Sequence, residues 1–378
     1  LTVSEGVLTD VDCPPKSAVE VQIPEKLPAK GNTFLHLHYI QKEEDLLTPA
    51  GYEAGHDQLT ISRDANAAKT AVAKAVGYES CRETSGPVTV KELENQLVVS
   101  GERFRYVYDK WKGAFSALVK DGSSLIEKPI ELNVWRAPMD NDRRVRSEWE
   151  EAGYDRARIK VYETSWKISE GQAVIISRYS LYAVYLQRIV TGTLTWSVNG
   201  SGAVTIQAEG DRTPLSLNYS REPLPMMPFL PRFGLRLFLP ACYDQVTYFG
   251  YGPQESYPDK HRDAYVDLFG SPVERLHEDY LRPQENGSHW GCTALAAETP
   301  DGRCLLVSGQ EFSFNASRYT QEELTRKAHS FELEKSPYTV LCLDGYISGC
   351  GSNSCGPRLM EKYQVNDKKL SMTFTLEF

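Results

Sequence analysis

The sequence predicts an all-β protein made of two successive sandwich-like parts. Short runs in which apolar and polar residues alternate with a period of two recur along most of the chain. The 27 Gly, 21 Pro and 21 Tyr residues favour strands and turns over a helix bundle. The strand signals after residue 88 do not alternate with helices, which predicts antiparallel pairing in a large sandwich.

Length and charge exclude some functions. The chain has 378 residues, with 42 Lys and Arg against 51 Asp and Glu, and a formal net charge of −9. This length makes two domains a fair expectation. The acidic balance argues against nucleic acid or an anionic membrane as partner, because both require a basic surface. No apolar run approaches the roughly 20 residues of a membrane span.

Residues 1–62 predict short strands between turns. Residues 18–23 and 34–40 alternate with a period of two, and residues 59–61 resemble a last edge strand. This pattern is typical of an immunoglobulin-like sandwich, but such a domain needs about 100 residues, so a truncated one is expected. Leu1 is not a start methionine, which predicts that the chain is a piece of a longer protein.

Residues 63–87 differ from their surroundings. They are rich in Ala and Lys and end at Gly86-Pro87. A short helix is one interpretation, but its apolar face would be mostly alanine and would bury little area. We therefore predict a linker over residues 63–87.

Residues 88–378 predict the large sandwich. Strand signals lie at residues 97–99, 104–108, 173–176, 181–190, 192–198, 204–206 and 370–378. Asp121-Gly122 and Asn199-Gly200 have the composition of hairpin turns. One helix is predicted over residues 147–153, with Ser147 as its N-cap and Gly153 after its end.

Cysteine and histidine residues give no clear metal motif. The eight cysteines are scattered and form no CxxC pair, which predicts reduced and mostly buried thiols. His36 and His38 alternate within a predicted strand and therefore share one face. A metal site there lacks a third ligand nearby, so a half-exposed sheet face is the favoured interpretation.

Four segments are too polar and too rich in Gly and Pro to be plain strands: residues 133–142, 248–259, 281–290 and 343–357. In the first, Asp140 and Asp142 are either paired catalytic carboxylates or part of a loop in which Asx side chains bind backbone NH groups and Arg136. The second contains Gly250-Tyr251-Gly252 followed by Pro253, which excludes a phosphate-binding helix.

These segments resemble the C-terminal region of β-galactosidases of glycoside hydrolase family 2. Their order and approximate spacing match, and the likeness extends over the whole chain. By this resemblance, residues 1–62 are the back part of an immunoglobulin-like domain, and residues 88–378 are a large β-supersandwich related to galactose mutarotases. The residues that carry the matching motifs are Trp135, Arg136, Asp140, Asn141 and Asp142, then Gln254, Glu255, Tyr257 and Asp259, then Glu285 and Asn286, and further strings at residues 312–319 and 344–357.

The resemblance implies hydrolysis of terminal β-galactosides with retention. Retaining enzymes use an acid/base carboxyl and a nucleophile about 5–5.5 Å apart. In the family both stand on a barrel that precedes the immunoglobulin-like part, together with the Mg²⁺ and Na⁺ ligands. We therefore expect no catalytic residue, metal or cofactor in these residues and no activity of this chain alone. The expected partners are the catalytic barrel, a galactoside and, for the parent, further copies of itself.

The resemblance also places a loop tip at the edge of the sugar pocket. Asn353, Ser354 and Cys355 form this tip, and Cys355 falls near the position at which some members carry a tryptophan. A thiol offers a sugar less apolar area than an indole. A structural loop with a buried thiol is the alternative. Arg143 and Arg144 are either a pocket edge, since arginine binds sugar hydroxyls with a forked geometry, or a solvated turn.

Two other function classes stay open. An aldose epimerase needs a carboxylate base and histidines, which Glu285, His289, His261 and His277 could supply. A carbohydrate-binding or subunit-interaction module is the other class. For localisation the cytoplasm is favoured, and export is left open.

Overall fold

The computed structural model describes residues 2–9, 11–23, 28, 30–78, 86–213 and 227–378. Contacts between residues divide the chain into two compact units, residues 1–67 and residues 68–378. The predicted partition into a partial immunoglobulin-like domain, a linker and a large sandwich stays a prediction. Cys81 lies outside the described residues.

The secondary structure consists mainly of strands. The strands are β1 Thr33–Ile40, β2 Glu53–Ser62, β3 Thr89–Glu92, β4 Gln96–Ser100, β5 Phe104–Asp109, β6 Ala114–Lys120, β7 Ser123–Ser124, β8 Glu131–Asn133, β9 Arg158–Ser169, β10 Gln172–Tyr182, β11 Arg188–Val198, β12 Val204–Asp211, β13 Arg232–Pro240, β14 Gln245–Gly252, β15 Tyr265–Pro272, β16 Ser288–Glu298, β17 Cys304–Ser317, β18 Tyr338–Ile347 and β19 Lys369–Glu377. The α-helices are α1 Ala65–Ala75, α2 Val145–Glu151 and α3 Gln321–Arg326, and short 3₁₀ helices include Asp140–Asp142 and Glu361–Tyr363. Among the described residues, no helix is both long and apolar enough to cross a membrane.

In the first unit, β1 and β2 form an antiparallel hairpin. His36 and His38 share one face of it, with ring centroids 6.3 Å apart, and His38 contacts Glu53 at 3.3 Å. The half-exposed sheet face is thus confirmed. The predicted strand over residues 18–23 is wrong, because these residues form no strand. Alternation alone cannot supply the partner that a strand needs for its backbone hydrogen bonds.

Helix α1 lies in the segment that was interpreted as a linker. The Asp64 carboxylate accepts hydrogen bonds from the backbone NH groups of Asn66 and Ala67 at 2.9 and 3.2 Å, which caps the helix. Ala68 and Val72 are fully buried. The small apolar face that the sequence predicts for this helix is therefore buried.

The second unit is a large antiparallel β structure. Its main sheet has twelve strands among the described residues, with the order β15-β14-β16-β17-β19-β12-β11-β10-β9, while β13 pairs with β18 and β8, and β18 also pairs with β17. A second sheet has the order β3-β4-β5-β6-β7. Every one of these pairings is antiparallel, which confirms the predicted all-β class.

Several aromatic side chains pack together in the core of the second unit. In β5, Phe104, Tyr106 and Tyr108 are buried at alternate positions, as the sequence pattern predicted. Phe115 meets Tyr108 and Trp196 edge to face, with ring centroids 5.3 and 5.4 Å apart. Such contacts add to the area that these large side chains remove from water.

Two local predictions need correction. Helix α2 begins at Val145, and Ser147 lies inside it, where its hydroxyl donates to the Arg144 carbonyl at 3.1 Å. Residues 181–190 are not one strand, because β10 ends at Tyr182 and β11 begins at Arg188. The chain reverses between them at Tyr185, whose φ is 65°. Residues 183–187 contain no Gly or Pro that would have predicted this turn.

The ends of several strands meet at one edge of the main sheet. The carboxyl ends of β8 and β18 both lie beside the start of β13, since Asn133 pairs with Gly234 and Ile347 pairs with Arg232. The end of β14 lies beside the start of β16, where the Ser288 carbonyl accepts a hydrogen bond from the backbone beyond β14. The loops that leave these ends are therefore neighbours.

Candidate functional site

Four loops at this edge contain most of the residues singled out in the sequence. We name them loop A (residues 134–142, after β8), loop B (residues 253–260, after β14), loop C (residues 277–287, before β16) and loop D (residues 348–357, after β18). Side-chain contacts connect all four.

Arg136 of loop A holds loops A and D together. Its Nε and Nη2 atoms donate to the Asp142 carboxylate at 3.1 and 2.8 Å. Nη1 and Nη2 also donate to the carbonyls of Ser348 and Gly349 at 2.5 and 2.9 Å. The Asp142 carboxylate further accepts from the Met139 backbone NH at 3.0 Å. This geometry agrees with the interpretation of loop A as a loop in which Asx side chains bind backbone NH groups and Arg136. Both oxygens of Asp142 already accept hydrogen bonds, which argues against its role as a catalytic carboxylate.

The charge of this pair is stabilised locally. Arg136 is 0% exposed and Asp142 is 3% exposed. Burial lowers the pKa of Arg136, but the Asp142 carboxylate more than compensates and the net shift is upward. Arg136 therefore stays charged in the interior, where the Asp142 carboxyl group is its hydrogen-bonded partner.

Loop D is also bound by loops A and B. The Asp259 carboxylate accepts hydrogen bonds from the backbone NH groups of Cys350 and Gly351, both at 2.7 Å. The Asn141 amide donates to the Gly351 carbonyl at 2.7 Å and accepts from the Ser354 NH at 3.3 Å. The base of loop D is thus held by short bonds, and its tip by longer ones.

One side-chain and one backbone hydrogen bond join loop C to loop A. The Gln284 side-chain carbonyl accepts from the Asp140 NH at 2.7 Å, and the Glu285 NH donates to the Ala137 carbonyl at 3.0 Å. The Asn286 amide donates back to the Gln284 carbonyl at 2.8 Å, which shapes the end of the loop. Asp140 itself is exposed, so the two aspartates of loop A differ in environment.

Glu255 joins loops B and C. Its carboxylate accepts from the Gly287 NH at 2.8 Å, from Lys260 Nζ at 2.5 Å and from the Tyr280 hydroxyl at 2.5 Å. Partial burial opposes a charged Lys260, but the Glu255 carboxylate raises the pKa of this lysine. Burial and then Glu255 raise the pKa of Tyr280 to about 12. Glu255 therefore has a structural role as the hydrogen-bond acceptor that joins the two loops.

A second group of buried charges lies under the loops. Arg232 at the start of β13 binds the Glu285 carboxylate through Nη2, and its Nη1 lies 3.5 Å from Asp344 Oδ2. Burial, opposed by Arg232 and assisted by Glu285, raises the pKa of Asp344 to about 7. Arg232 was not among the sequence candidates, because no local motif marks a residue whose partners come from distant segments.

The predicted pocket-edge residues surround the tip of loop D. Asn353 is 7% exposed, and its Oδ1 atom has no hydrogen-bond partner. Cys355 is exposed, so the alternative interpretation as a buried thiol is wrong. Arg143 and Arg144 are both exposed, and Arg143 Nη1 reaches the Ser354 carbonyl at 3.4 Å. Their role at a pocket edge stays a prediction.

The remaining motif residues have structural contacts. Trp135 is buried, donates from Nε1 to Thr325 Oγ1 at 3.3 Å and meets Trp149 edge to face. Tyr257 is fully buried, and its hydroxyl has no hydrogen-bond partner. Gln254 is exposed.

The histidines of the epimerase hypothesis differ in their surroundings. His289 is buried, shares a hydrogen bond with the Tyr248 hydroxyl at 3.0 Å, and burial lowers its pKa to about 4. His261 Nδ1 lies 3.0 Å from the Tyr257 carbonyl. Burial also lowers the pKa of His277, and Glu285 is engaged by Arg232 as described above. These contacts do not favour epimerase chemistry.

The described part of the chain contains seven cysteines, and all of them are free thiols, in agreement with the predicted reduced state. The prediction that they are mostly buried is wrong, because only Cys292 and Cys342 are buried. Across these residues, no group of three or more His, Cys, Asp or Glu side chains is placed to hold a metal ion. The Mg²⁺ and Na⁺ ligands that the resemblance implies are expected on the barrel, and this expectation stays a prediction.

Comparison with known proteins identifies the relatives of this chain. The family described as "Beta galactosidase small chain" matches residues 100–376. A β-galactosidase of Actinobacillus pleuropneumoniae is 38% identical over 100% of this chain and 36% of its own length. A β-galactosidase of Staphylococcus xylosus is 30% identical over 96% of this chain and 35% of its own length. The chain thus spans about a third of the length of these curated relatives.

Among solved structures, a putative aldose 1-epimerase from Escherichia coli K12 aligns with 77% of this chain and 98% of its own chain. Its sequence identity is 8% and its TM-score is 0.36. A similarity this low carries no argument about activity.

Proposed function

We propose, since this chain belongs to the β-galactosidase small-chain family, that it forms the C-terminal part of a retaining β-galactosidase. In this role the four-loop edge walls the sugar pocket, and a catalytic barrel outside these residues supplies the acid/base and nucleophile. The galactoside, the barrel and further copies of the parent are the proposed partners.

The connection of loops A to D by buried and backbone contacts is the observation that carries this proposal. Arg136 and Asp259 hold the base of loop D, so the tip at residues 353–355 projects from a fixed support. A wall that contacts substrate must be positioned within fractions of an ångström to be useful, and such support provides that precision.

The polar groups at the tip suit a sugar. The side-chain oxygen Oδ1 of Asn353 is buried without a hydrogen-bond partner. A buried acceptor of this kind is stabilised when a hydroxyl donates to it. The exposed Arg143 guanidinium lies at the same tip and can bind hydroxyl oxygens. The tip therefore offers the Arg143 donors at its surface and holds one unpartnered acceptor, Asn353 Oδ1, in its interior.

A replacement experiment tests the proposal. The third of the A. pleuropneumoniae enzyme that matches this chain is exchanged for these 378 residues, and hydrolysis of a nitrophenyl β-galactoside is measured. We expect the hybrid to hydrolyse the substrate, and the same enzyme without the exchanged third to be inactive.

The chain alone is the matched control. We expect no turnover from the pure 378-residue protein, because both catalytic carboxylates are proposed to lie outside it. Stoichiometric turnover by the chain alone would overturn the proposed division of labour. A folded hybrid that binds substrate analogues as the parent does but lacks hydrolysis would count against the proposed wall.

A further inference from the structure

Asp344 has a buried carboxyl group to which no group donates a hydrogen bond. The residue is 1% exposed, and neither of its carboxyl oxygens has a hydrogen-bond partner. The neighbouring buried carboxyl groups differ, since Asp142 accepts three hydrogen bonds and Glu285 accepts one from Arg232. Buried polar atoms are nearly always bonded, so the state of Asp344 requires an explanation beyond packing.

The Asp344 side chain has little room to turn. Asp344 pairs with Gly234 of β13, and a Cβ atom at residue 234 would collide with Asp344 Oδ1 and with the Leu343 carbonyl. The two strands are therefore so close that only glycine fits beside this carboxyl group. A neighbour, rather than a rotation of Asp344 itself, must respond to a change in the charge of the group.

Arg232 is the neighbour that can respond. Its Nη1 atom lies 3.5 Å from Asp344 Oδ2, and its Nε and Nη1 atoms have no hydrogen-bond partner. Its Nη2 atom donates to the Glu285 carboxyl group. A hydrogen bond between a guanidinium and a carboxylate is about 2.7–2.9 Å long, so formation of one to Asp344 would shift the guanidinium by about 0.6–0.8 Å. Such a shift strains the bond that the same guanidinium makes to Glu285.

Two routes connect this guanidinium with loop D. The first is the start of β13, because the Pro231 carbonyl accepts a hydrogen bond from the Ser348 NH at 2.9 Å. The second runs through loop C, where the Glu285 NH donates to the Ala137 carbonyl at 3.0 Å. Ala137 follows Arg136, which binds two carbonyls of loop D as described above. A movement of the guanidinium therefore reaches the base of loop D from both sides.

The charges around Asp344 come from each neighbouring element. Burial raises the pKa of its carboxyl group, Arg232 of β13 and Arg136 of loop A oppose this, Glu285 of loop C assists it, and the resulting pKa is about 7. The β17 residue opposite Asp344 is Ser313, which carries no charge. The other titratable side chains nearby are Cys342 and Tyr346 of β18, Glu311 of β17, and Lys362, Tyr363 and Asp367 in the segment before β19. The charged members of this set are exposed, so water and salt screen them and the buried groups dominate.

We propose that Asp344 is a positioning residue for the wall of the sugar pocket. While Asp344 is neutral, Arg232 stays on Glu285 and the support of loop D is intact. When Asp344 is ionised, it draws Arg232 away from Glu285, which loosens loop C and the base of loop D. The wall is therefore firmest at slightly acidic pH. This inference rests on the proposed function and adds the proton as a regulator of the same site.

Amide hydrogen exchange of the 378-residue chain measures this loosening. The reporters are the NH groups of Glu285 and Ser348, which make the two connecting bonds. The wild type and Asp344→Asn are compared at the same pH, so that the chemical pH dependence of exchange cancels. We expect nearly equal rates at about pH 6, and about tenfold faster exchange of both reporters in the wild type at about pH 8. Equal rates at both pH values would overturn the inference.

Two controls exclude other causes. Asp367→Asn removes an exposed carboxyl group close by and should behave as the wild type does, whereas loss of the pH dependence in this variant would assign the effect to surface charge and overturn the proposal. The Leu125 NH, which donates to the Leu118 carbonyl at 2.9 Å, is the reference for global unfolding. A change that Leu125 shares would also overturn the proposal. If thermal melting shows that Asp344→Asn does not fold, the ratio of the reporter rates to the Leu125 rate in the wild type carries the test.

The hybrid enzyme tests the consequence for function. The ratio of its KM to that of its Asp344→Asn form should rise about threefold between about pH 6 and about pH 8, while the ratio of the kcat values stays constant. A constant KM ratio together with pH-dependent exchange would refute the positioning role. An inactive hybrid would contradict the proposed function alone, because the exchange experiment requires no hydrolysis.

Discussion

Replacement of Arg136 by alanine should destabilise the second unit strongly. The substitution removes two hydrogen bonds to Asp142, at 2.8 and 3.1 Å, and the bonds to two carbonyls at 2.5 and 2.9 Å. Asp142 is 3% exposed and would be left as a buried charge without its partner. Removal of one member of a buried pair costs about 3–5 kcal/mol, so we expect a loss in this range.

Urea denaturation followed by tryptophan fluorescence measures this loss. Arg358→Ala is a matched control, because Arg358 binds Glu148 at 2.8 Å but is 55% exposed, and an exposed pair contributes little. The double variant Arg136→Ala/Asp142→Asn should be less destabilised than the sum of the single variants. The reasoning is refuted if Arg136→Ala is no more destabilising than Arg358→Ala.

Three further outcomes are expected. Burial raises the pKa of the Asp344 carboxyl group from 3.8 to about 7, so as the pH rises the unfolded state loses this proton before the folded state does. The stability that the group contributes is complete below pH 3.8 and is lost as the pH rises to about 7. Relative to Asp344→Asn, the free energy of unfolding of the wild type should fall by about 3 kcal/mol between about pH 5 and 8, and a flat difference in urea melts would contradict this. Gly349→Ala should lower the free energy of unfolding by about 1–3 kcal/mol, because the added Cβ would lie 2.5 Å from the Asp259 carboxyl group. In the control Gly270→Ala the nearest atom would lie 3.6 Å from the added Cβ. Equal melting curves for the two variants would contradict this prediction. Cys355→Trp in the hybrid enzyme should lower the KM for lactose without a matching change in kcat, and an unchanged KM would show that the tip does not contact the second sugar.

Alternation of apolar and polar residues predicted the strands well where one face is buried. The β5 strand at Phe104–Asp109 and the β19 strand at Lys369–Glu377 follow the pattern closely. The same pattern failed over residues 181–190, where a hairpin loop carries apolar residues on the surface. A period of two describes side-chain direction and cannot detect a chain reversal without Gly or Pro.

The candidate site was predictable only where its contacts are local. Arg136 and Asp142 are six residues apart, and the sequence indicated their pairing. The association of Arg232 with Glu285 and Asp344 joins β13, loop C and β18, and no local propensity reports it. The same holds for loops A to D, which come from distant parts of the chain and which only the sheet order brings together.

The unequal attachment of loop D divides its conformational entropy into two parts. Asp259 and Arg136 order residues 348–351 when the domain folds, with bonds of 2.5 to 2.9 Å, so a ligand at the tip does not bear that cost. Beyond them, the contacts of Ser354 are 3.3 and 3.4 Å long. Fixing a residue opposes binding by about 1–2 kcal/mol, and this penalty applies only to the short tip. A substitution in the tip can therefore change affinity through entropy while the fold beneath it stays the same.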